Sequence, residues 1–575
     1  MSHPDANIRF RARYPHTQGG AMSDCNQVTL IGCETSSLAI AIGGLCGEQD
    51  LARAAWSIVR HGQLAGLSAP EYRLVQALEA PDHAADHSGL IDLIRSGKDP
   101  LGDALMRLRP PDQRRPLGAT YTPSEIVSSI VAWVAARSRP ARVVDPGTGS
   151  ARFLLEAGRV LPEALLVGVE IDPLAALLAR ANLTAAGLDH RAQILVRDYR
   201  DADFGEFDGP TAYIGNPPYV RHHQIEPEWK EWLAASSAAL GLKASGLAGM
   251  HVHFMLATAL HVRPGDLGAF VTSSEWLDVN YGHLPRMLFA TQLGGVSIHL
   301  VDPHATPFAD TATTAAVTCF EVGEPGASIR MERIPSTSDL GVLDGGQPFR
   351  RQQLRAAPRW SALLNGSNKP PEGYVELGEI CRVHRGAVTG ANSIWITDAD
   401  NPALPQEVLR PSVTRAAELF NASDGVLAST RGLRAVIDLP ADLEVFDDAD
   451  RLLIDRFLRS AERRGVLSGY IARNRNPWWT VGLRDPAPIL ATYMARRPPA
   501  FVRNLSTARN VNVVHGIYPR EAMSAAALDA LAAALRAAAP SAVGRTYAGG
   551  LMKFEPSEMG RIPVPEPRML EEFAA

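Results

Sequence analysis

The chain has 575 residues, of which 46% are hydrophobic and 21% charged, a composition typical of a soluble globular protein with several cores. Its formal net charge of −5 excludes a uniformly basic nucleic-acid binder, so any such surface has to be local. The five cysteines include no CxxC pair, and the most apolar early stretch, 28–46, contains Glu34. We therefore expect no disulfide framework, no metal site, no membrane segment and a reducing, cytoplasmic location.

Residues 1–110 are predicted to form a tail and a helical extension. Residues 1–21 are polar, and we expect either a disordered tail or an over-called start there. Apolar residues then recur about every 3.6 positions, which indicates amphipathic helices. A polar link rich in Pro and Arg, 109–116, separates the extension from the next part of the chain. The periodic segments are 51–64, 71–78 and 90–108.

Residues 111–330 alternate apolar strands with helical segments. This alternation predicts a doubly wound, mostly parallel α/β sheet with helices on both faces, whose last two strands form an antiparallel hairpin. The alternation of strands and helices ends near residue 330, and residues 331–575 are predicted to form a separate domain of mixed structure. The predicted strands are 142–145, 165–170, 192–196, 211–214, 267–272, 296–301 and 315–321, with helices at 152–160, 173–186 and 250–262.

A helix start precedes the first strand of this domain. Thr122, Pro123 and Glu125 fit a capping box with proline in the first turn, ahead of an apolar helix. The simplest interpretation is a helix start alone. The functional interpretation is that the capped turn, with Thr122, covers one end of a cofactor.

A glycine-rich turn joins the first strand to its helix at 143–150. Gly147 and Gly149 let the backbone approach a ligand closely, and the following helix start supplies unpaired N–H groups. Asp145 at the strand tip would repel a pyrophosphate but suits a sulfonium or an amine. The sequence thus indicates a cofactor site for a cationic ligand.

Acidic residues also end the next two strands. Glu170 lies 25 residues after Asp145, about where an acid binds ribose hydroxyls in dinucleotide folds. Asp198 ends the third strand and is a candidate acceptor for an adenine amino group. Each acid alone is equally well a helix cap or a solvated loop residue, but three on successive strands indicate a shared site.

The tetrapeptide Asn-Pro-Pro-Tyr at 216–219 follows the fourth strand. An exocyclic amino group of adenine or cytosine is a poor nucleophile, because its lone pair is conjugated into the ring. A catalyst has to draw its N–H protons towards acceptors outside the ring plane. Asn216 offers a side-chain carbonyl, and Pro217 offers a backbone carbonyl stiffened by Pro218. Tyr219 offers a flat face for an extruded base, although a proline-bounded turn is the simpler alternative.

Together these motifs resemble the amino-methylating DNA methyltransferases of N6-adenine type in their γ arrangement, over about residues 115–322. The resemblance implies a class I S-adenosylmethionine-dependent fold and a tetrapeptide that holds a flipped base. The usual cofactor motif is Asp-Pro-Ala-Cys-Gly-Ser-Gly, whereas Gly147 and Thr148 replace Ala-Cys and Ala151 replaces the last glycine, all small-for-small changes. By position Phe308 packs against the target base, although a core phenylalanine is an equal alternative. The residues implied to line the S-adenosylmethionine site are Asp145, Gly147, Glu170 and Asp198, with Thr122 nearby.

The C-terminal region resembles the target-recognition domains of the same family. Its segment 451–509 contains twelve arginines, no lysine and three acidic residues, a net charge of +9 in an acidic protein. Arginine suits both phosphates and guanine edges, and Arg473 and Arg475 are expected to contact DNA. Trp478 and Trp479 either stack on DNA or pack in a core. The matching stretches are 375–392, 473–479 and 553–556.

The sequence therefore predicts an enzyme that methylates adenine N6 in duplex DNA with S-adenosylmethionine and base flipping. It would be the modification component of a restriction–modification or phage-defence system. No metal is expected, because the sulfonium is already activated. The expected partners are double-stranded DNA and a separately encoded restriction endonuclease, and the chain is expected to be a monomer.

Four alternatives compete with this prediction. Methylation of cytosine N4 uses the same chemistry, but that subgroup usually has Ser in place of Asn216. Glutamine-methylating relatives share the tetrapeptide but are smaller. A fused nuclease needs an acid followed by Asp/Glu-x-Lys, and only Glu228-Trp-Lys230 fits, inside the predicted base pocket. A non-catalytic DNA-binding scaffold is the fourth alternative, and the presence of all three strand-end acids, Asp145, Glu170 and Asp198, argues against it.

Overall fold

The computed structural model of the protein describes most of the chain between residues 45 and 572. Two predictions lie outside the described residues, namely the tail or over-called start at 1–21 and the role of Phe308. No helix in the described part combines the length and the apolar character that a membrane crossing needs. The described residues are 45–62, 66–78, 87–114, 118, 120, 122–302, 315–365, 370–539, 545–547 and 551–572.

Within the described residues, a nine-stranded sheet forms the centre of the chain. Its strands are β1 (Arg142–Pro146), β2 (Leu165–Glu170), β3 (Ala192–Val196), β4 (Thr211–Gly215), β5 (Leu267–Ser273), β6 (Gly295–Val301), β7 (Ala315–Glu321), β8 (Ser328–Ile334) and β9 (Gln347–Arg350). The spatial order is β3-β2-β1-β4-β5-β7-β6-β8-β9, parallel from β3 to β5, with β7 antiparallel to both neighbours. The predicted mostly parallel sheet and its antiparallel hairpin are confirmed.

Helices cover both faces of this sheet. Strands β1, β4 and β5 are buried along their whole length, as the continuous apolar runs of parallel strands require. Successive side chains point to opposite faces, so Val143 and Val144 belong to different cores. The helices on the Val143 face are α6 (Ser124–Arg137), α7 (Arg152–Val160) and α8 (Pro173–Ala185). Those on the Val144 face are α9 (Pro227–Ala239), α10 (Met250–His261), α11 (His283–Ala290) and α12 (Arg351–Ala356).

The sheet continues past residue 330, where the sequence analysis placed the end of the domain. That position falls inside β8, and β9 and α12 come after it. Met331, Phe349 and Trp360 are buried in the core on the Val144 face, so the sheet domain includes residues up to the 360s. Strand β8 alternates buried and exposed positions near the sheet edge, and therefore lacks the continuous apolar run that identified the central strands.

The helical extension packs against α8. Its helices are α1 (Glu48–Val59), α2 (Ala69–Gln76), α3 (Ser88–Arg95), α4 (Pro100–Leu108) and α5 (Pro111–Arg114). Leu51 and Leu101 share a core with Leu177 of α8. An ion pair joins Glu71 of α2 to Arg180 of α8, with Oε1 and Nε 2.6 Å apart and side chains 0% and 4% exposed. The extension is thus part of the sheet domain and not a separate module.

The C-terminal part contains several smaller sheets. Its strands are β10 (Tyr374–Glu376), β11 (Cys381–Arg385), β12 (Ile396–Thr397), β13 (Leu409–Val413), β14 (Val426–Leu427), β15 (Arg434–Ile437), β16 (Ile489–Thr492), β17 (Met494–Ala495), β18 (Phe501–Asn504), β19 (Arg509–Asn510), β20 (Val514–Pro519), β21 (Arg545–Tyr547), β22 (Leu551–Lys553) and β23 (Pro563–Pro565). Its helices are α13 (Leu377–Ile380), α14 (Asn392–Trp395), α15 (Ala416–Phe420), α16 (Asp448–Arg463), α17 (Tyr470–Arg473), α18 (Ala525–Ala538), α19 (Pro556–Met559) and α20 (Pro567–Glu572). The larger sheets have the orders β11-β20-β16-β18-β14 and β12-β15-β13-β19.

The buried pair between the extension and α8 generates a stability prediction. Glu71→Ala should lower the free energy of unfolding by about 3–5 kcal/mol, because it leaves the Arg180 guanidinium buried without its counter-charge. Urea titration with hydrogen exchange of α2 and α8 would measure the loss. The matched control is Glu572→Ala, which removes an ion pair to Arg568 whose side chains are 89% and 65% exposed. The control should cost less than about 1 kcal/mol, and equal losses in the two variants would contradict the prediction.

Candidate active site

The carboxyl ends of β1 to β4 surround one cavity of about 240 Å3. Parallel strands end at the same edge of a sheet, which is where open α/β sheets bind ligands. Of the residues predicted from the sequence, Asp145, Pro217 and Tyr219 do not line the cavity directly. Those that line it are Thr122, Gly147, Gly149, Glu170, Asp198, Asn216 and Pro218.

The glycine-rich turn has the backbone that its sequence predicts. Gly147 and Gly149 adopt left-handed conformations with φ of 76° and 56°. The amides of Gly147 and Thr148 both donate to the Val169 carbonyl, at 2.8 and 2.9 Å, which fastens the turn to the tip of β2. Ala151 also has a positive φ of 73°, at the position where the usual motif has its last glycine. Alanine thus fills this position by adopting the conformation that glycine would take.

Asp145 is buried beneath this turn. Its Oδ2 accepts from the Thr148 hydroxyl at 2.8 Å, while its Oδ1 is buried and has no hydrogen-bond partner within the described ranges. Burial raises the pKa of this carboxyl to about 8, and the nearby charge of Glu170 adds to the increase. A cationic group beside the unused oxygen would offset the cost of burying the ionised carboxylate.

Glu170 ends β2 with its side chain turned back on the backbone. It accepts from the amides of Gly149, Ile171 and Asp172 at 2.8, 2.9 and 2.9 Å. These bonds favour the ionised form, but burial outweighs them and raises the pKa of Glu170 to about 7. The carboxyl is therefore fixed in direction at the mouth of the glycine turn.

Asp198 is held by an arginine that the sequence analysis missed. The Arg200 guanidinium donates to both carboxylate oxygens of Asp198, at 2.8 and 2.5 Å, and lies 3.6 Å from the centre of the Trp229 ring. Arg200 is buried, and its Nη1 is 3.4 Å from Nδ1 of His253. The sequence signal for this contact was an arginine two residues after the acid that follows the strand. This spacing also occurs in exposed turns, so it did not single out Arg200.

The tetrapeptide is held by contacts from the segment before α6. The Asn216 amide nitrogen donates to the Thr122 hydroxyl at 3.0 Å, while its oxygen is buried without a hydrogen-bond partner in the described structure. The backbone amide of Tyr219 donates to the Gly118 carbonyl at 3.1 Å. Burial raises the pKa of the Tyr219 hydroxyl, so the phenol stays neutral.

The predicted capping box is not formed. Helix α6 begins at Ser124 with Pro123 at its N-cap, which makes no side-chain cap hydrogen bond. Thr122 lies one residue too early to cap the helix. Its buried hydroxyl instead contacts Asn216.

The helical extension forms one wall of the cavity, through Leu105, Met106 and Arg109 in and after α4. Asp99, which caps α4, accepts from the Ser150 hydroxyl at 2.5 Å and pairs with Arg152 at 2.8 Å. The extension therefore holds the end of the glycine turn. Sequence reasoning missed this role, because Asp99 lies 51 positions before Ser150 and belongs to no motif.

The residues predicted to contact DNA fall into two groups. Arg473 is exposed and donates to the Ser468 carbonyl, whereas Arg475 is half-buried and donates to the carbonyls of Val388 and Thr389. Trp478 and Trp479 pack with the core around Trp395, and the Trp479 ring N–H donates to the Pro440 carbonyl at 3.0 Å. The hydrogen bonds of Arg475 therefore join two of the family-like stretches, 375–392 and 473–479.

Comparison with known proteins identifies the two halves separately. Residues 98–240 match the N-6 DNA Methylase family, and residues 367–575 match the C-terminal domain of the Type II methyltransferase M.Eco57I. The Type II methyltransferase M.XamI of Xanthomonas campestris pv. amaranthicola is 49% identical over 467 residues, which cover 81% of this chain and 87% of that protein. The Type II methyltransferase M.AccI of Acinetobacter calcoaceticus is 22% identical over 474 residues, 78% of this chain and 85% of that protein.

A solved structure shares the fold of most of the chain. The Type IIL restriction–modification enzyme MmeI, solved in complex with DNA, superimposes with a TM-score of 0.50 at 14% identity over 87% of this chain and 78% of that one. The chain belongs to the Type II DNA methyltransferases of restriction–modification systems, as an N6-adenine enzyme with the γ order of motifs.

Proposed function

We propose that the enzyme transfers the methyl group of S-adenosylmethionine to N6 of an adenine in a specific duplex sequence, after that adenine has been flipped out of the helix. The observation that carries the proposal is the Asn216 side-chain oxygen. It is buried at the cavity and has no partner among the described residues. An unused buried acceptor costs on the order of 1–3 kcal/mol, which a donor from the substrate would recover.

The tetrapeptide then activates the amino group. The Asn216 oxygen accepts a hydrogen bond from one N–H, and the Pro217 backbone carbonyl, held stiff by Pro218, accepts a hydrogen bond from the other. Placing both acceptors outside the ring plane returns the lone pair to the nitrogen, which becomes nucleophilic. The Tyr219 ring supplies the face on which the extruded base stacks. Positioning and fixed dipoles provide the rate acceleration.

The chain's own residues suit S-adenosylmethionine. When bound, this cofactor supplies a methyl group already activated on a sulfonium. Asp145 offers its unused oxygen to a cationic group, and the turn of Gly147 and Gly149 admits a ligand close to the backbone. We assign Glu170 to the ribose hydroxyls, and Asp198, fixed by Arg200, to the amino group of the cofactor's adenine.

A restriction endonuclease encoded separately is the partner that we propose for this enzyme. The relatives named Type II methyltransferases support this proposal. The one Asp/Glu-x-Lys match in the sequence, Glu228-Trp-Lys230, lies in the first turn of α9 on the sheet domain and is therefore better explained as part of that helix than as a nuclease site. Long-read sequencing of DNA from a host that expresses the protein would identify both the methylated base and the recognition site.

The central test separates base activation from cofactor binding. Asn216→Ala should lower the rate of tritiated methyl transfer by about 10²–10³-fold or more, because the group it removes acts on the reacting nitrogen. It should leave the affinity for S-adenosylhomocysteine and the brightening of a duplex with 2-aminopurine at the target adenine largely unchanged. Asp145→Ala should instead lose cofactor affinity first.

The control for this test is Asn280→Ala, which removes an exposed asparagine outside the cavity. This variant should keep both the transfer rate and the cofactor affinity. Near-normal turnover of Asn216→Ala would contradict the proposed activation of the amino group. A wild-type complex in which 2-aminopurine stays dark would contradict base flipping.

The raised carboxyl pKa values generate a pH prediction. A cation beside Asp145 favours its ionised form, so ligand binding at pH 7 should release protons, and affinity should increase from pH 6 to 8 through the pKa values of about 7 and 8. The folding stability of the ligand-free protein should depend on pH in the opposite direction to ligand affinity. These two groups bind more protons folded than unfolded above the ordinary carboxyl pKa of about 4, so their contribution to stability is lost as the pH rises towards 8.

Calorimetric titration with S-adenosylmethionine in two buffers of different protonation enthalpy would count the released protons. Asp145→Asn, which keeps the shape but cannot ionise, should abolish most of the release. Affinity that is independent of pH between 6 and 8 would contradict the assignment of Asp145 to the cationic group.

The DNA surface that we propose lies on α16. This helix buries Ile454, Leu458 and Ala461 in a core. Arg456, Arg459 and Arg463 follow one another at helical spacing on its opposite face, where they are exposed and form no ion pair with any described residue. The exposed Arg473 follows on α17, next to Tyr470, whose exposed fraction is 76%. Arg475, bound to backbone carbonyls, is better explained as a structural residue.

Charge reversal on this face tests the proposal. Changing Arg456, Arg459 and Arg463 to Glu should weaken duplex binding and lower the slope of log K against log salt by about 0.9 per phosphate contact. The matched control reverses three arginines exposed at the outer edge of the sheet domain, Arg330, Arg350 and Arg355. A salt series with both variants would show the difference. If the control variant weakens DNA binding equally, the effect of the α16 variant comes from the change in net charge and not from a specific surface. If the α16 variant binds DNA like the wild type, the DNA surface does not lie on α16.

A further inference from the structure

The contact between Thr122 and Asn216 is the feature from which we infer a residue role beyond the proposed mechanism. The Thr122 side chain is buried, and it does not cap the helix that starts two residues later. Its hydroxyl lies 3.0 Å from the Asn216 amide nitrogen, which donates to it. The polar group of Thr122 is therefore directed to the tetrapeptide and not to the helix backbone.

In this hydrogen bond the nitrogen end of the Asn216 amide lies at Thr122 and the oxygen end lies on the opposite side. The terminal torsion of an asparagine side chain is broad and roughly two-fold, so the amide can turn by about 180° at little cost. Either orientation fits the same space, but only one presents an acceptor. Because the nitrogen is held by Thr122, the oxygen is left on the other side, where it is buried without a partner among the described residues. The turned amide would present a donor to the donor groups of the amino substrate.

The same segment also holds the other end of the tetrapeptide. The Gly118 carbonyl accepts from the Tyr219 amide at 3.1 Å. Gly118 has a φ of 64°, and a Cβ on it would lie 2.5 Å from the Tyr219 backbone nitrogen. Only glycine therefore fits against this backbone. Thr122 and Gly118 fix the first and last residues of the tetrapeptide from one side.

We infer that Thr122 is a positioning residue for methyl transfer: its hydroxyl anchors the Asn216 amide so that the oxygen faces the target amino group. The inference rests on the proposed function, and it gives Thr122 a task different from covering the cofactor. Loss of the hydroxyl should therefore slow the chemical step while cofactor binding and base flipping persist.

The test compares Thr122→Val, which keeps the shape and loses the hydroxyl, with Thr122→Ser, which keeps the hydroxyl. In single-turnover methyl transfer with saturating DNA and S-adenosylmethionine, the valine variant should be slower by about 10- to 100-fold, and the serine variant should recover most of the rate. Calorimetric affinity for S-adenosylhomocysteine and the fluorescence of 2-aminopurine at the target should match wild type in both variants. Thr122→Ala gives the same comparison if valine prevents folding, as judged by thermal unfolding.

Other outcomes overturn the inference in distinguishable ways. A weakened S-adenosylhomocysteine affinity with an unchanged single-turnover rate would make Thr122 a cofactor residue. A wild-type rate in the valine and alanine variants would show that Asn216 needs no anchor, while the proposed function stands. Absence of methyl transfer to adenine by the wild-type protein itself would overturn the proposed function and this inference together.

Discussion

The parallel register of β1, β2 and β4 is the constraint on which the site depends. In this register Asp145 pairs with Gly168, so the tips of β1 and β2 end side by side, and the end of β4 lies on the other side of β1. A carboxylate, a glycine turn and the tetrapeptide are thereby brought together from distant parts of the sequence. Gly215 is required at the β4 tip, because a Cβ there would lie 2.5 Å from the Asp145 carboxylate. The backbone arrangement thus sets how closely the glycine turn and the tetrapeptide approach each other.

Much of the catalytic half was predictable because its information is local. Apolar runs identify β1 and β2 as buried parallel strands, and the positions of Asp145 and Glu170 at their ends follow from them. Strand β3 is only partly buried, but its apolar residues 194–196 still place Asp198 just after a strand. The glycine turn and the tetrapeptide are read from adjacent residues for the same reason. Strand β8 was missed because an alternating strand near a sheet edge carries a weaker pattern, which moved the expected domain end to residue 330.

The contacts that could not be predicted join residues far apart in the chain. Thr122 and Asn216 are 94 positions apart, and Asp99 and Ser150 are 51 apart. No periodicity links such pairs, and each residue has a satisfactory local explanation, such as the helix cap expected of Thr122. The tryptophans at 478 and 479 left two explanations open, and only the packing around Trp395 separates them. Local patterns therefore locate a site, whereas its supporting contacts need the fold.

The contacts of Asp99 have a consequence for how the enzyme folds around its ligand. This carboxylate, 6% exposed, belongs to the extension, yet it bonds the glycine turn through Ser150 and the sheet domain through Asn182. Ordering of the turn and docking of the extension are thus one cooperative unit. Any ligand that binds only the ordered turn must also stabilise α1, α2 and α3, none of which lines the cavity. Folding of the extension and binding of the cofactor would then be thermodynamically linked, so that the stability of these helices would increase when the cofactor binds.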